Sequence, residues 1–230
     1  MLWRLGCLIG LFLLQPFYGE ARFRPDFSGN NRLQDLLLPK IQPLMLWHPN
    51  TPGLALGLEL RPLRSIAIQG EYTLPFYALA FYNNNQGRID QDFLRLRQEI
   101  RFYPNPDEEK EFYYALEFRY DRATYHRLNS LLIQDDKVYN YIRSDISRVR
   151  MGFAAKFGYQ FVVADWLMID AFGGLGLSNR ELIHRPDQLF EVPVTREQAR
   201  ESGSDIEAGK QLQPLFFLGV RIGFSLYQRY

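Results

Sequence analysis

The chain has 230 residues, 47% of them apolar and 15% aromatic, with 27 Lys and Arg against 26 Asp and Glu for a formal net charge of +1. That is one domain's length, too apolar for disorder, without the basic excess of a nucleic-acid binder and without the run of about 18 apolar residues that a membrane-crossing helix needs. A mean hydropathy of −0.26 averages to a water-soluble domain, but the order of the residues points elsewhere.

The N-terminus opens with a short basic stretch, Met1 to Arg4, followed by the apolar run Leu5 to Leu14. A run of that length with small residues at Gly19 and Ala21 reads as a secretory signal peptide over residues 1–21, cut after Ala21 or alternatively after Gly19. Cys7 is the single cysteine and falls in the removed part. The exported chain is then expected to have no disulfide, thiolate metal site or cysteine nucleophile. Residues 22–35 are polar and irregular, and a barrel domain is expected over 36–230.

From there apolar residues recur at every second position, the period of a strand. A weak first strand is expected at about Pro39 to Trp47. The second is the clearest: Leu54, Leu56, Leu58 and Leu60 share one face, against Ala55, Gly57, Glu59 and Arg61. Next come Ile66, Ile68, Tyr72 and Leu74, against Gln69, Glu71 and Thr73. Leu94, Leu96, Ile100 and Phe102 then alternate with Arg95, Arg97, Glu99 and Arg101. Phe112 to Tyr120 alternate with Tyr113, Ala115, Glu117, Arg119 and Asp121. Val149 to Phe161 face away from Arg148, Arg150, Lys156 and Gln160. Leu167, Ile169, Leu175 and Leu177 oppose Asp170, and Phe216 to Leu226 oppose Arg221. Eight strands result.

Alternation alone suits a soluble sandwich or lipocalin-like barrel too. The large Leu, Ile, Phe and Tyr side chains on one face of nearly every strand, opposite Gly, Ala and charges, suit lipid outside and a narrow polar lumen inside. Short connections at 61–65, 104–110 and 162–166 alternate with long ones at 75–88, 122–147 and 179–213, the exception being 48–52. Short inner turns and long outer loops are the pattern of outer-membrane barrels. Phe102, Phe112, Tyr114, Tyr159, Phe161 and Trp166 lie beside the short turns, as an interfacial girdle would. The fold expected is all-β, an eight-stranded antiparallel up-and-down transmembrane barrel.

The end of the chain, Phe224-Ser225-Leu226-Tyr227-Gln228-Arg229-Tyr230, resembles the C-terminal signal read by the barrel-assembly machinery of Gram-negative bacteria, with Gln228 where an apolar residue is usual. Lys40-Ile41-Gln42-Pro43-Leu44 with Leu56-Gly57-Leu58-Glu59-Leu60-Arg61 resembles the opening of an uncharacterised family of small outer-membrane barrels, Gln42 standing where that family usually has Asn. The architecture is similar to the transmembrane domain of outer membrane protein A. These resemblances imply a fold, a location in the outer membrane and a partner in the assembly machinery that binds the strand ending at Tyr230. They imply little about activity.

The chemistry-bearing residues offer no catalytic pattern. His48, His126 and His184 are all assigned to outer loops, without metal-ligand spacing. His126 with Ser130 and Asp135 is weighed as a lipid hydrolase or acyltransferase site, but loop residues of these types are generic. Gly173-Gly174-Leu175-Gly176 lacks the following helix of a nucleotide loop. What remains is an ion network in the lumen: Glu59, Glu71, Arg95, Arg97, Glu99, Arg101, Glu117, Arg119, Arg150, Lys156, Asp170 and Arg221. An eight-stranded barrel is only wide enough for its side chains to fill it, so these charges are expected to pair. The sequence therefore predicts a monomeric, non-enzymatic envelope or surface-interaction protein, without cofactor, metal or nucleic acid, in contact with outer-membrane lipid. A narrow solute channel, a lipid-modifying enzyme and a soluble ligand-binding barrel are the alternatives.

Overall fold

A computed structural model describes residues 37–47, 52–63, 65–75, 88–105, 110–135, 137–164, 166–201 and 206–225. The expected signal peptide, the 22–35 segment, His48 and the last five residues lie outside these. The described chain forms one closed barrel of eight strands in sequence order. They are β1 (Leu37–Gln42), β2 (Gly53–Leu63), β3 (Ile66–Pro75), β4 (Arg88–Phe102), β5 (Lys110–Gln134), β6 (Lys137–Ala164), β7 (Leu167–Glu191) and β8 (Gly209–Phe224). Every neighbouring pair is antiparallel, and β1 closes on β8 through Lys40–Gly223 and Ile41–Ile222.

The first strand is shorter than expected. It stops at Gln42, and Pro43–Trp47 turns into a 3-10 helix. Pro43 has no N–H to donate to a ladder, and its fixed φ suits the first position of a helical turn. This turn packs against β2 and β8, the two neighbours of β1, and brings Met45 into the interior, where it is buried.

The three connections β2–β3, β4–β5 and β6–β7 define one end of the barrel, the turn end. The β2–β3 and β6–β7 connections are tight, and in the second Trp166 stacks on Phe224 with a centroid spacing of 6.2 Å. The opposite, distal end departs most from the sequence reading. Residues 122–147 are not a loop. β5 and β6 stay paired from Lys110–Phe161 up to Gln134–Lys137, and β7 stays paired with β6 as far as Glu191. Likewise 179–213 holds the end of β7, a short helix α1 (Arg196–Glu201) and the start of β8. Thr195 and Gln198 cap α1 reciprocally, Thr195 Oγ1 accepting from Gln198 N at 3.3 Å and Gln198 Oε1 from Thr195 N at 3.2 Å, a capping box.

Side-chain size shapes the wall. At Gly158 a Cβ would lie 2.3 Å from the Tyr113 ring, and at Gly219 one would lie 2.4 Å from Phe172. Both glycines face inward, and their missing side chains make room for aromatic rings inside so narrow a barrel.

Candidate functional site: the charged interior

Inward positions along the strands are buried and outward ones exposed. On β4, Arg95, Arg97, Glu99 and Arg101 are buried while Leu96, Ile100 and Phe102 are exposed. Register then decides which charges meet. Near the turn end, β1 contributes Lys40, β2 Glu59 and Arg61, β4 Glu99 and Arg101, β5 Glu111 and Glu117, β6 Lys156, β7 Asp170 and β8 Arg221; β3 adds Glu71 just above.

Glu59 is the most heavily bonded of these. It accepts from Lys40 Nζ at 2.6 Å, Arg61 Nε at 2.7 Å, Arg101 Nη1 at 2.8 Å, the Tyr103 hydroxyl at 3.1 Å and Gln160 Nε2 at 3.2 Å. Asp170 faces Lys40 at 3.1 Å and Arg101 at 3.0 Å, and accepts the Tyr113 hydroxyl proton at 2.7 Å. Glu99 joins Arg101 at 2.9 Å, Lys156 at 2.5 Å and Arg221 at 2.6 Å. Glu71 holds Arg221 at 2.7 Å and Arg97 at 3.0 Å. Glu117 bonds Lys156 at 3.1 Å and also pairs with Arg119. Arg61 extends the net to Glu111 at 2.7 Å and the Gln160 amide oxygen at 2.6 Å.

Aromatic faces cover the cations from the sides. Arg61 lies over Tyr103 and Arg101 over Tyr113, each 4.3 Å from the ring centre, and Lys156 and Arg221 lie 3.7 and 4.2 Å from the centre of Phe172. Arg101 and Arg221 have no exposed surface. Breaking one partner of such a set is costly, because it strands a charge without water. The arrangement fills and ties the wall: most of these cations reach carboxylates on at least two other strands.

The remaining predicted members sit above this layer. Arg95 bonds Asp121 at 2.7 Å, and Arg150 donates to the Gln213 amide oxygen at 3.3 Å. All twelve residues named from the sequence thus face the interior, in two adjoining layers. The sequence reading left out Lys40, Tyr103, Glu111 and Arg180. Lys40 sits in a six-residue strand, too short for its alternation to register. Glu111 and Tyr103 share the parity of Tyr113 and Arg101 and were legible on that ground. Arg180 shares the parity of Asp170 but falls in the stretch read as loop.

The weighed hydrolase site does not assemble. His126 Nδ1 is 2.6 Å from Asp145 Oδ1 on the outward face of β5 and β6, while Ser130 lies level with Tyr141 and Asp135 is in the β5–β6 turn. The Gly173–Gly176 run lies within β7, not in a phosphate loop.

No protein-family model and no curated protein matches the chain. Among solved structures it is similar to a major outer membrane protein from Thermus thermophilus, with 11% identity over 82% of this chain and 95% of that one, at a TM-score of 0.34.

Proposed function

We propose that the chain is an integral bacterial outer-membrane β-barrel with a non-enzymatic envelope role, its β5–β6–β7 extension serving as the surface that meets partners outside the cell. One observation carries this reading: the barrel has its charges inside and its large apolar residues outside. Phe153, Leu175, Leu177, Phe216 and Leu218 are 57 to 87% exposed, and their rows run round the wall. A water-soluble barrel exposing so continuous a belt would aggregate. The outward row on β5 from Phe112 to Tyr120 and that on β6 from Phe161 to Val149 correspond to about 20 to 30 Å at a membrane-strand tilt, bracketing a band about 25 Å tall.

Short turns at one end and extended strands at the other support an orientation with the turn end in the periplasm. Export by a cleaved signal peptide, insertion through the C-terminal strand and kinship with the small uncharacterised barrels belong to the same proposal. A through-channel draws no support from the interior, because the layer of Lys40, Arg101, Asp170 and Arg221 leaves those side chains with no exposed surface.

The test is extraction and gel mobility. The full chain should stay with outer membranes through alkaline carbonate, and an unboiled sample should migrate faster than a boiled one. A protein that washes off, and whose mobility does not change on boiling, is not a membrane barrel.

A further inference from the structure

We propose that the outer part of the extension is a cap hinged on the barrel wall, which opens and closes over the cleft between them. The cap comprises the β5–β6 hairpin tip, the end of β7, α1 and residues 206–208. The described chain passes between cap and wall at Asn129, Ile142, Gln188 and Gly209. The first three lie level on neighbouring strands, and neither ladder pairs at that height. Asn129, Gln188 and Gly209 have positive φ of 47°, 54° and 102°; among the described residues the one other is Asp135, in the hairpin turn. Backbone values that most side chains avoid are concentrated where the chain crosses, as a hinge of a few residues requires.

The main chain changes sense across this line. Strand residues turn their main-chain groups alternately to either neighbour. Counted from Trp166, which accepts from Ser225 on the β8 side, even-numbered residues of β7 face β8; yet Val192 turns its N–H to Val138 on β6. The apolar packing divides at the same place. Tyr125, Ile146 and Leu182 form a cluster below it, and Ile133, Val138, Ala199 and Ile206 form another above. The cap is tied within itself: Ile133 donates to the Ile206 carbonyl at 3.0 Å and Arg196 pairs with Glu207 at 3.1 Å. Two cores without a shared residue, joined across an interrupted ladder, can move as two bodies.

Between them lies a cleft of about 460 Å³, lined by Ile133, Gln134, Arg196 and Glu207 from the cap and by Leu182 and His184 from the wall. Ala123 is level with Leu182 through Arg148, and Ile133 lies about ten residues further along β5, ~33 Å on a straight strand. Ile133 and Leu182 nonetheless border one cleft, so the ribbon curls back and the cap faces the wall. Gln134, Arg196, Glu207 and His184 exchange their contacts for water when the cleft widens, so parting the two sides costs little. On the reading proposed above, the cleft opens to the cell exterior; the hinge itself needs only the barrel.

The experiment measures nitroxide–nitroxide distances by electron double resonance, on the full chain in detergent micelles with Cys7→Ser. Cysteines placed two at a time carry the labels: Asn140→Cys and Glu197→Cys in the cap, Arg122→Cys and Asn179→Cys in the wall, all four at exposed positions. The pairs 140/197 and 122/179 should give narrow distributions, and 140/179 one about twofold broader or more. In Gly209→Ala the new Cβ meets no atom within 4 Å, so the change acts through the backbone alone, where a φ of 102° is strained for any side chain. It should shift the 140/179 distance and leave the other two unmoved. A 140/179 distribution as narrow as the others, or a broad 140/197 one, overturns the proposal. So does a 140/179 distance that Gly209→Ala does not move. The unboiled gel band of the same samples reports separately on the barrel.

Discussion

Two regions of the same three strands differ in what they bury. In the barrel wall, β5, β6 and β7 turn Glu117, Lys156 and Asp170 inward and Leu116, Phe153 and Leu175 outward. In their distal extension the inner side turns largely apolar. Tyr125, Ile146 and Leu182 form a buried apolar cluster, and further out Ile133 and Val138 pack with Ala199 and Ile206. The outer faces there carry His126, Arg143, Asp145 and Glu181 among the exposed Leu128, Ile142 and Ile183. A strand does not change its chemistry partway along unless its surroundings change. On the proposed membrane reading, lipid outside the lower part and water outside the upper part account for both halves with one rule, that apolar surface avoids water.

The largest effect expected from breaking this contrast is inside the wall. Arg101→Met leaves Glu59, Glu99 and Asp170 short of a shared partner and should cost about 3–5 kcal/mol, read as a lower urea midpoint for unfolding from phospholipid vesicles. Next, Phe153→Arg places a charge near the middle of the outward row of β6 and should cost about 2–4 kcal/mol in the same assay. The matching change Ile142→Arg, on an exposed side chain of the extension, should stay within about 0.5 kcal/mol. Equal costs at 142 and 153 would erase the distinction between the two regions.

A smaller and local effect is expected from Ile133→Ala. It opens the outermost cluster, which Ile133 also ties together by donating its N–H to the Ile206 carbonyl at 3.0 Å and accepting from Ala208 N at 3.3 Å. A loss of about 2–3 kcal/mol should appear as faster proteolysis near residues 134–137, with the unboiled gel band unmoved. Smallest is a pH effect on the same extension. Burial raises the Tyr141 hydroxyl above its ordinary value of 10.0, so the folded extension holds that proton more tightly than the unfolded one. Its stability should be intact below about pH 10 and fall as pH rises from there towards the raised pKa. Tyr141→Phe should remove that part of the base sensitivity, measured again by proteolysis.

The wall was legible in the sequence because a charged interior and an apolar outer surface impose strict alternation on it. Seven of the eight strands show a clean two-residue period, and their parity alone turns Glu59, Arg101 and Asp170 inward. The extension was not legible, for physical reasons. Polar residues there sit on either row, Arg127 and Ser144 inside and Arg143 and Asp145 outside, and consecutive apolar residues such as Leu132 and Ile133 are both buried. The ribbon also breaks step: Asn129 and Gln188 take positive φ of 47° and 54°, and both lie level with Ile142 on the strand between them. Two short polar or amide residues at one height read in sequence as loop. Partner choice was hidden too. Gln160 and Glu59 are 101 residues apart and meet at 3.2 Å only because the sheet closes on itself.

The account is tested most directly by spin labels stepped along the outward row of β6. With Cys7 replaced by Ser, single cysteines at 157, 153, 149, 145 and 143 would carry a nitroxide in the vesicle-inserted chain. Collision with oxygen, which partitions into lipid, should exceed collision with a water-soluble nickel chelate at 157, 153 and 149, and the ratio should invert by 145. Chelate-dominated collision along the whole row, 153 included, would contradict it.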